Sequence, residues 1–280
     1  MDTNINSNIS VFKNKFFYVF VSVFILLAFS IWWIYISSFG IESTEQARQI
    51  WAASYQIMAI LGGIIGIIIS RHWGGYKSIL GKTILSFSFG LFLQSFGQTI
   101  YSYYIFKGIE VPYPSIGDIG FFGSIIFYII GAFLLARLSG LKFSFQSLKG
   151  KLLTLLIPFV ILFFSYFFFL KGYEFDWSDK LRIFLDFGYP FGQAIYVSVA
   201  ILAWVVSINT LGGFMKKPIL FLIFALVFQY FSDFMFLYQA YNETWYVGGF
   251  NDYLYFISYF IMTISIIKLG ATFEKIKNTN

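Results

Sequence analysis

Eight stretches of about 20 predominantly apolar residues, each long enough to cross a bilayer as a helix, follow one another along this chain: 16–39, 50–70, 83–106, 115–136, 152–170, 183–207, 218–240 and 249–267. No other feature narrows the fold as much. In hydrocarbon every backbone N–H and C=O must be paired within the protein, and a helix does this unaided. The connections are short, and none is rich enough in Pro, Gly or Ser to be a linker. Residues 1–280 therefore read as a single polytopic domain with short tails at 1–15 and 271–280. Composition agrees: 59% of the residues are hydrophobic and 11% charged, against about 25% charged in a soluble domain. The expected fold class is all-α integral membrane.

The cations orient the bundle. Fourteen of the 19 fall at one end: Lys13, Lys15, Arg71, Lys77, Lys82, Arg137, Lys142, Lys149, Lys151, Lys216, Lys217, Lys268, Lys275 and Lys277. The other five, Arg48, Lys107, Lys171, Lys180 and Arg182, fall at the opposite end. Cytoplasmic loops carry the Lys/Arg excess, so a multi-pass plasma-membrane protein with both termini cytoplasmic is expected, as an even span count also requires. The first span has small residues near Ser38 and Gly40, but its apolar core outruns the roughly 7–15 residues of a secretory signal. An uncleaved anchor is expected; cleavage would leave seven spans. The net charge of +6 comes without a dense basic run, so nucleic acid is not an expected partner; the bilayer is.

Several chemistries are excluded or disfavoured. There is no cysteine, and His72 is the only histidine, which removes thiolate metal sites and paired-histidine haem ligation. No phosphate loop, nucleophile elbow or His–acid pair is present. No catalytic residue, metal ligand or cofactor is assigned, and an enzyme is disfavoured. Gly62 and Gly66 have the spacing that lets two membrane helices approach closely. Trp32, Trp33, Trp245 and Tyr246 suit an interfacial belt.

The acids lie at the end poor in cations. Only Asp2 and Glu274 fall on the cation-rich side, while Asp118, Asp186, Asp233 and Asp252 fall within spans or at their mouths. Asp118 follows Ser115 by three residues, the capping-box spacing, and Asp252 can cap its helix in a similar way. Asp186 precedes Pro190, so a span starting at Pro190 would leave it exposed. Asp233, in "FQYFSDFMF", is different. It sits in the C-terminal half of its helix, where no cap is needed and burial of a charge costs a few kcal/mol unless it is paired.

The third and fourth spans resemble the seventh and eighth. "FLQSFGQTIY" aligns with "VFQYFSDFMF", pairing Gln94 with Gln229 and Gln98 with Asp233, and "GDIGFFGS" aligns with "NDYLYFIS", pairing Asp118 with Asp252 and Ser124 with Ser258. A helical hairpin repeated in parallel, about 83–136 and 218–267, is expected, with "FGYPFGQAIY" around Gln193 as a further copy and Gln56 in a worn fourth. Repeats place polar residues of equal depth toward a common interior.

This layout resembles the multi-span N-terminal membrane regions that precede diguanylate cyclase and phosphodiesterase domains in bacteria. The counterparts here are Gly97-Gln98, Pro114-Ser115-Ile116-Gly117-Asp118, Tyr189-Pro190-Phe191-Gly192-Gln193, and Asp233 with Asp252. The resemblance covers roughly residues 80–270, and Gln98 and Gln193 stand where its pattern has acids. It implies a sensory region. The chain reaches Asn280 with no catalytic output domain, so cyclic-dinucleotide synthesis is not implied. The expected function is a ligand-binding or sensory module with an outward-facing polar pocket lined by Gln94, Gln98, Asp118, Gln193, Gln229, Asp233 and Asp252. Its expected partners are a small-molecule or cation ligand and a cytoplasmic or membrane signalling protein. The alternative is a cation- or proton-coupled transporter or channel; an intramembrane enzyme or a scaffold ranks lower.

Overall fold

Predominantly apolar runs of this length leave the backbone one economical solution, and the computed structural model adopts it: helix follows helix, with no strand among the described residues. The structure describes the backbone of residues 3–139 and 148–279, and side chains within 15–139, 151–153, 155–208 and 211–277. Asp2, Lys142 and the side chains of Lys13 and Lys149, assigned above to the cation-rich end, lie outside the described residues.

The helices are α1 (Thr3–Ser37), α2 (Glu45–Ser54), α3 (Ile57–His72), α4 (Ile79–Phe106), α5 (Gly117–Leu138), α6 (Leu148–Ser165), α7 (Lys180–Thr210), α8 (Lys216–Tyr241) and α9 (Phe250–Thr279). They supply eight segments long and apolar enough to cross a membrane, the second built from α2 and α3 together across Glu42–His72. All eight overlap the apolar runs read from the sequence, but ends shift: the second starts at Glu42 rather than 50 and the last runs to Lys277 rather than 267, and the stretches read as tails are helical from Thr3 and to Thr279. α7 begins at Lys180 and passes through Pro190, so Asp186 lies on a continuous helix rather than ahead of one. Asp179 makes this start possible, accepting from the Arg182 N–H at 3.0 Å as the N-cap.

Six helices close a ring in the order α3, α4, α5, α7, α8, α9, with α9 returning to α3. α1 packs outside against α9, and α6 outside against α7. Burial separates the two classes: 11% and 6% of the apolar windows of α1 and α6 are buried, against 44–61% in the others. The closest approach in the ring is α4 on α5. A Cβ on Gly120 would lie 2.5 Å from the Leu93 carbonyl oxygen and 2.6 Å from the Gly97 nitrogen, so at that point backbone rests on backbone. At Gly62 and Gly66 of α3 it is side chains that fill the space: a methyl group would collide with the Thr263 or the Ser88 side chain respectively.

Candidate functional site in the bundle interior

The apolar ring encloses polar side chains, and each must satisfy its hydrogen bonds inside the protein. Gln94, on α4, donates through Nε2 to Ser124 Oγ on α5 at 2.8 Å. Ser258, on α9, donates to Gln229 Oε1 on α8 at 2.7 Å. Each bond ties the two helices of one hairpin. Tyr259 then donates to Gln94 Oε1 at 3.3 Å, joining α9 to α4 across the ring.

Asp233 is the acid at the centre, 3% exposed. Tyr196 of α7 donates to Oδ2 at 2.5 Å and Gln229 Nε2 to Oδ1 at 3.0 Å, and the Tyr255 hydroxyl is a third side-chain partner. No Lys, Arg or His lies within ion-pair distance of it among the described residues. A buried carboxylate held only by neutral donors is sustained by the number of those donors, since no countercharge offsets its desolvation. Tyr128 packs edge-on against Tyr196 with ring centroids 5.9 Å apart, and its buried hydroxyl has no hydrogen-bond partner among the described residues.

The other carboxylates are held separately. Asp118 Oδ2 accepts from the Ser115 N–H at 2.7 Å and from Ser115 Oγ at 3.1 Å, while the Ser115 hydroxyl accepts from the Gly117 N–H at 3.1 Å. That is a reciprocal helix start. Its other oxygen, Oδ1, accepts from Tyr189 of α7 at 2.6 Å. Asp252 Oδ2 accepts from the Gly248 N–H at 2.7 Å; the Trp245 indole nitrogen lies nearby without meeting hydrogen-bond geometry. Asp186 is far from exposed, with 22% of its side chain accessible. Tyr113 and Tyr173 each donate to it at 2.7 Å, and Arg182 lies 3.8 Å away. Burial and then the Asp186 bond push both of these loop phenols up, Tyr173 to about 12.

Of the seven residues expected to share a pocket, the structure joins Gln94, Gln229 and Asp233 with Ser124, Ser258, Tyr196 and Tyr259. Gln98 turns away and donates to the Ala52 carbonyl at 3.2 Å. Gln193 is 5% exposed and lies one turn from both Tyr189 and Tyr196 on α7. No residue described here gives or takes a hydrogen bond from it. Asp118 and Asp252 each hold their own helix start. Among the described residues no group of three or more His, Asp or Glu could hold a metal ion.

Two features escaped sequence reasoning. Nothing local in the sequence reveals that the hydroxyls of Tyr189 and Tyr196 meet acids on other helices. Arg48 reads as a loop cation, yet it is 3% exposed. Its guanidinium donates to Thr44 Oγ1 at 2.8 Å, the Gly248 carbonyl at 3.2 Å and the Ile36 carbonyl at 3.1 Å, and it lies 5.4 Å from the Tyr246 ring. Trp33 donates to the same Gly248 carbonyl at 3.1 Å and stacks on Tyr253 at 4.3 Å. These contacts bind α1 and α2 to the α8–α9 turn. No protein-family model, curated protein or solved structure matches this chain.

Proposed function

We propose that this multi-pass membrane protein is a ligand-binding, sensory module of the plasma membrane, with both termini cytoplasmic and the acid-rich end of the ring facing outward. The bias of 14 cations against five supports this orientation. We further read α4–α5 and α8–α9 as parallel repeats of one hairpin. In support, the aligned positions are hydrogen-bonded in both hairpins, Gln94 donating to Ser124 in one and Ser258 donating to Gln229 in the other. Asp118 and Asp252 each accept from a backbone N–H just upstream.

One observation carries the functional reading. Asp233 is a buried acid with neutral hydrogen-bond partners in the hairpin that the Tyr259–Gln94 bond joins to its counterpart, and the facing helix carries a buried Tyr128 hydroxyl without a partner among the described residues. A small polar molecule or cation that took up these groups would bias one hairpin against the other, and a cytoplasmic or membrane partner would read the movement. The resemblance to bacterial sensory regions points the same way.

A cation- or proton-coupled transporter would need polar continuity to the cation-rich end. Of the buried hydroxyls there, Ser88, Thr263 and Ser265 bond to the fourth preceding carbonyl at 2.7–2.8 Å, and Ser70 and Ser207 form a single hydrogen bond each, to the Gly81 carbonyl and Ser139 Oγ at 3.0 and 2.7 Å.

The absence of cysteine makes the test direct. The full chain carrying spin labels at Lys82→Cys and Lys217→Cys, in nanodiscs, is screened by thermal shift against small amines, polyols and inorganic cations. A stabilising compound should change the label separation, and Asp233→Asn should abolish both effects. Stabilisation that survives Asp233→Asn, or that leaves the separation unchanged, refutes the reading.

A further inference from the structure

We propose that one face of α7, carrying Asp186, Tyr189, Gln193 and Tyr196, is a one-sided proton route, and that Asp233 at its end is a proton-binding site reached from the acid-rich end of the ring. This deepens the reading above by naming the proton as a ligand of the same polar centre.

The route starts in a cavity of about 410 Å³ lined by Glu110, Val111, Pro112, Tyr113 and Arg182. The Tyr113 hydroxyl at its wall donates to Asp186 at 2.7 Å. Steps of three, four and three residues then follow along α7, which keeps all four side chains on one helical face over about 15 Å of rise. Three of the positions make the same kind of bond, a phenol donating to a carboxylate: Tyr113 to Asp186, Tyr189 to Asp118 at 2.6 Å, and Tyr196 to Asp233 at 2.5 Å. Between the second and third bonds lies Gln193, 5% exposed and with no hydrogen-bond partner among the described residues. A phenol relays a proton by accepting on its oxygen while releasing its own hydrogen. A buried amide with both its donor and its acceptor unused can hold a bridging water, which needs two to four such partners.

The end of the route is suited to a proton. The groups nearest Asp233 are neutral, Tyr196 from α7, Gln229 from its own helix and Tyr255 from α9, with Tyr128 of α5 and Tyr259 of α9 around them; two further carboxylates act on this shell, Asp252 on Tyr259 and Asp118 through Tyr189. With no cation opposite, one bound proton removes the whole buried charge. The step is H₃O⁺ plus carboxylate giving carboxylic acid plus water, with no redox partner. The new O–H is a donor, and Gln229 Oε1, Tyr196 and Tyr255 around it carry oxygens able to accept.

Past Asp233 the path is closed. Ser198 and Ser232 bond to carbonyls of their own helices at 2.6 and 3.2 Å, and beyond them Leu222, Ile223, Leu226, Ala203 and Ile266 are buried side by side in the apolar core. The geometry therefore serves binding from one side, without conduction.

The full chain, reconstituted in liposomes with pyranine inside, is acidified from outside while the protonated-carboxyl C=O stretch is followed by infrared spectroscopy. A rising band is expected that is absent in Asp233→Asn, retained in Asp233→Glu and unchanged in Asp176→Asn, with the interior dye silent. Tyr189→Phe combined with Tyr196→Phe should slow the rise about 100-fold, the low end of what a positioned proton donor contributes. A band that ignores external pH, or persists in Asp233→Asn while that variant remains folded, overturns the proton site. An interior that acidifies with wild-type protein but not with Asp233→Asn overturns the one-sided route. A silent Asp233 band alongside a ligand-induced thermal shift that requires Asp233 sinks the proton inference alone. A responsive band with a ligand shift that survives Asp233→Asn sinks only the sensory reading.

Discussion

Gly120→Ala sets two effects of opposite sign against each other. In a helix interior Ala is worth about 1 kcal/mol more than Gly, so propensity alone predicts a gain. The packing predicts a loss. The added carbon would sit 2.5 Å from the Leu93 oxygen and 2.6 Å from the Gly97 nitrogen, about 0.9 Å inside the 3.4 Å at which ordinary contact begins. Both obstacles are backbone atoms of α4, so no rotamer change relieves them and the two helices must part. Overpacking of this kind costs about 1–3 kcal/mol, and rigid obstacles put this site in the upper part of that range. The expected net effect is a loss of about 1–2 kcal/mol after the propensity gain is subtracted. Gly123→Ala is the control: its added carbon meets only the tip of the Leu93 side chain, at 3.3 Å, so the variant should match or exceed wild-type stability by up to about 1 kcal/mol. Reversible unfolding of the full chain in bicelles measures both. Wild-type stability in Gly120→Ala would refute the backbone-on-backbone contact. Asp118 lies two residues from Gly120, so the same variant should also loosen the Tyr189–Asp118 bond.

Arg48→Lys replaces a three-way fork by a single point charge. Loss of about two charge-assisted hydrogen bonds should cost roughly 3 kcal/mol, read in the same unfolding assay and accompanied by faster proteolysis of the α1–α2 turn; unchanged stability would mean the guanidinium is not the tie. Tyr173 is held up to about 12 from its usual 10, so its contribution to stability is complete below pH 10 and is lost as pH climbs to about 12. Asp186→Asn should bring the Tyr173 titration part-way back toward 10, measured as the ultraviolet phenolate difference between chains with and without Tyr173→Phe. No movement would show that Asp186 is not the cause.

Legibility followed range along the chain. The Ser115–Asp118 helix start could be read from three-residue spacing because both partners lie in one turn. The Gln94–Ser124 and Gln229–Ser258 pairs were partly legible because similar sequence segments set Gln against Gln and Ser against Ser, although alignment does not say that they touch. Arg48 was misread as a loop cation because its acceptors, the Ile36 and Gly248 carbonyls, are backbone groups that no side-chain pattern reports. Asp186 was misread because Pro190 suggested a helix start that Asp179 had already supplied upstream.

By itself the sequence determined the eight apolar helices and their alternating charge, because hydrocarbon thickness and obligatory backbone pairing act on each segment alone. Only the tertiary structure decided which face of each helix turns inward. Lipid is as apolar as the bundle interior, so these helices carry no amphipathic stripe to mark the buried side. The meeting of Tyr196 with Asp233, and of Tyr259 with Gln94, exists only once the ring has closed.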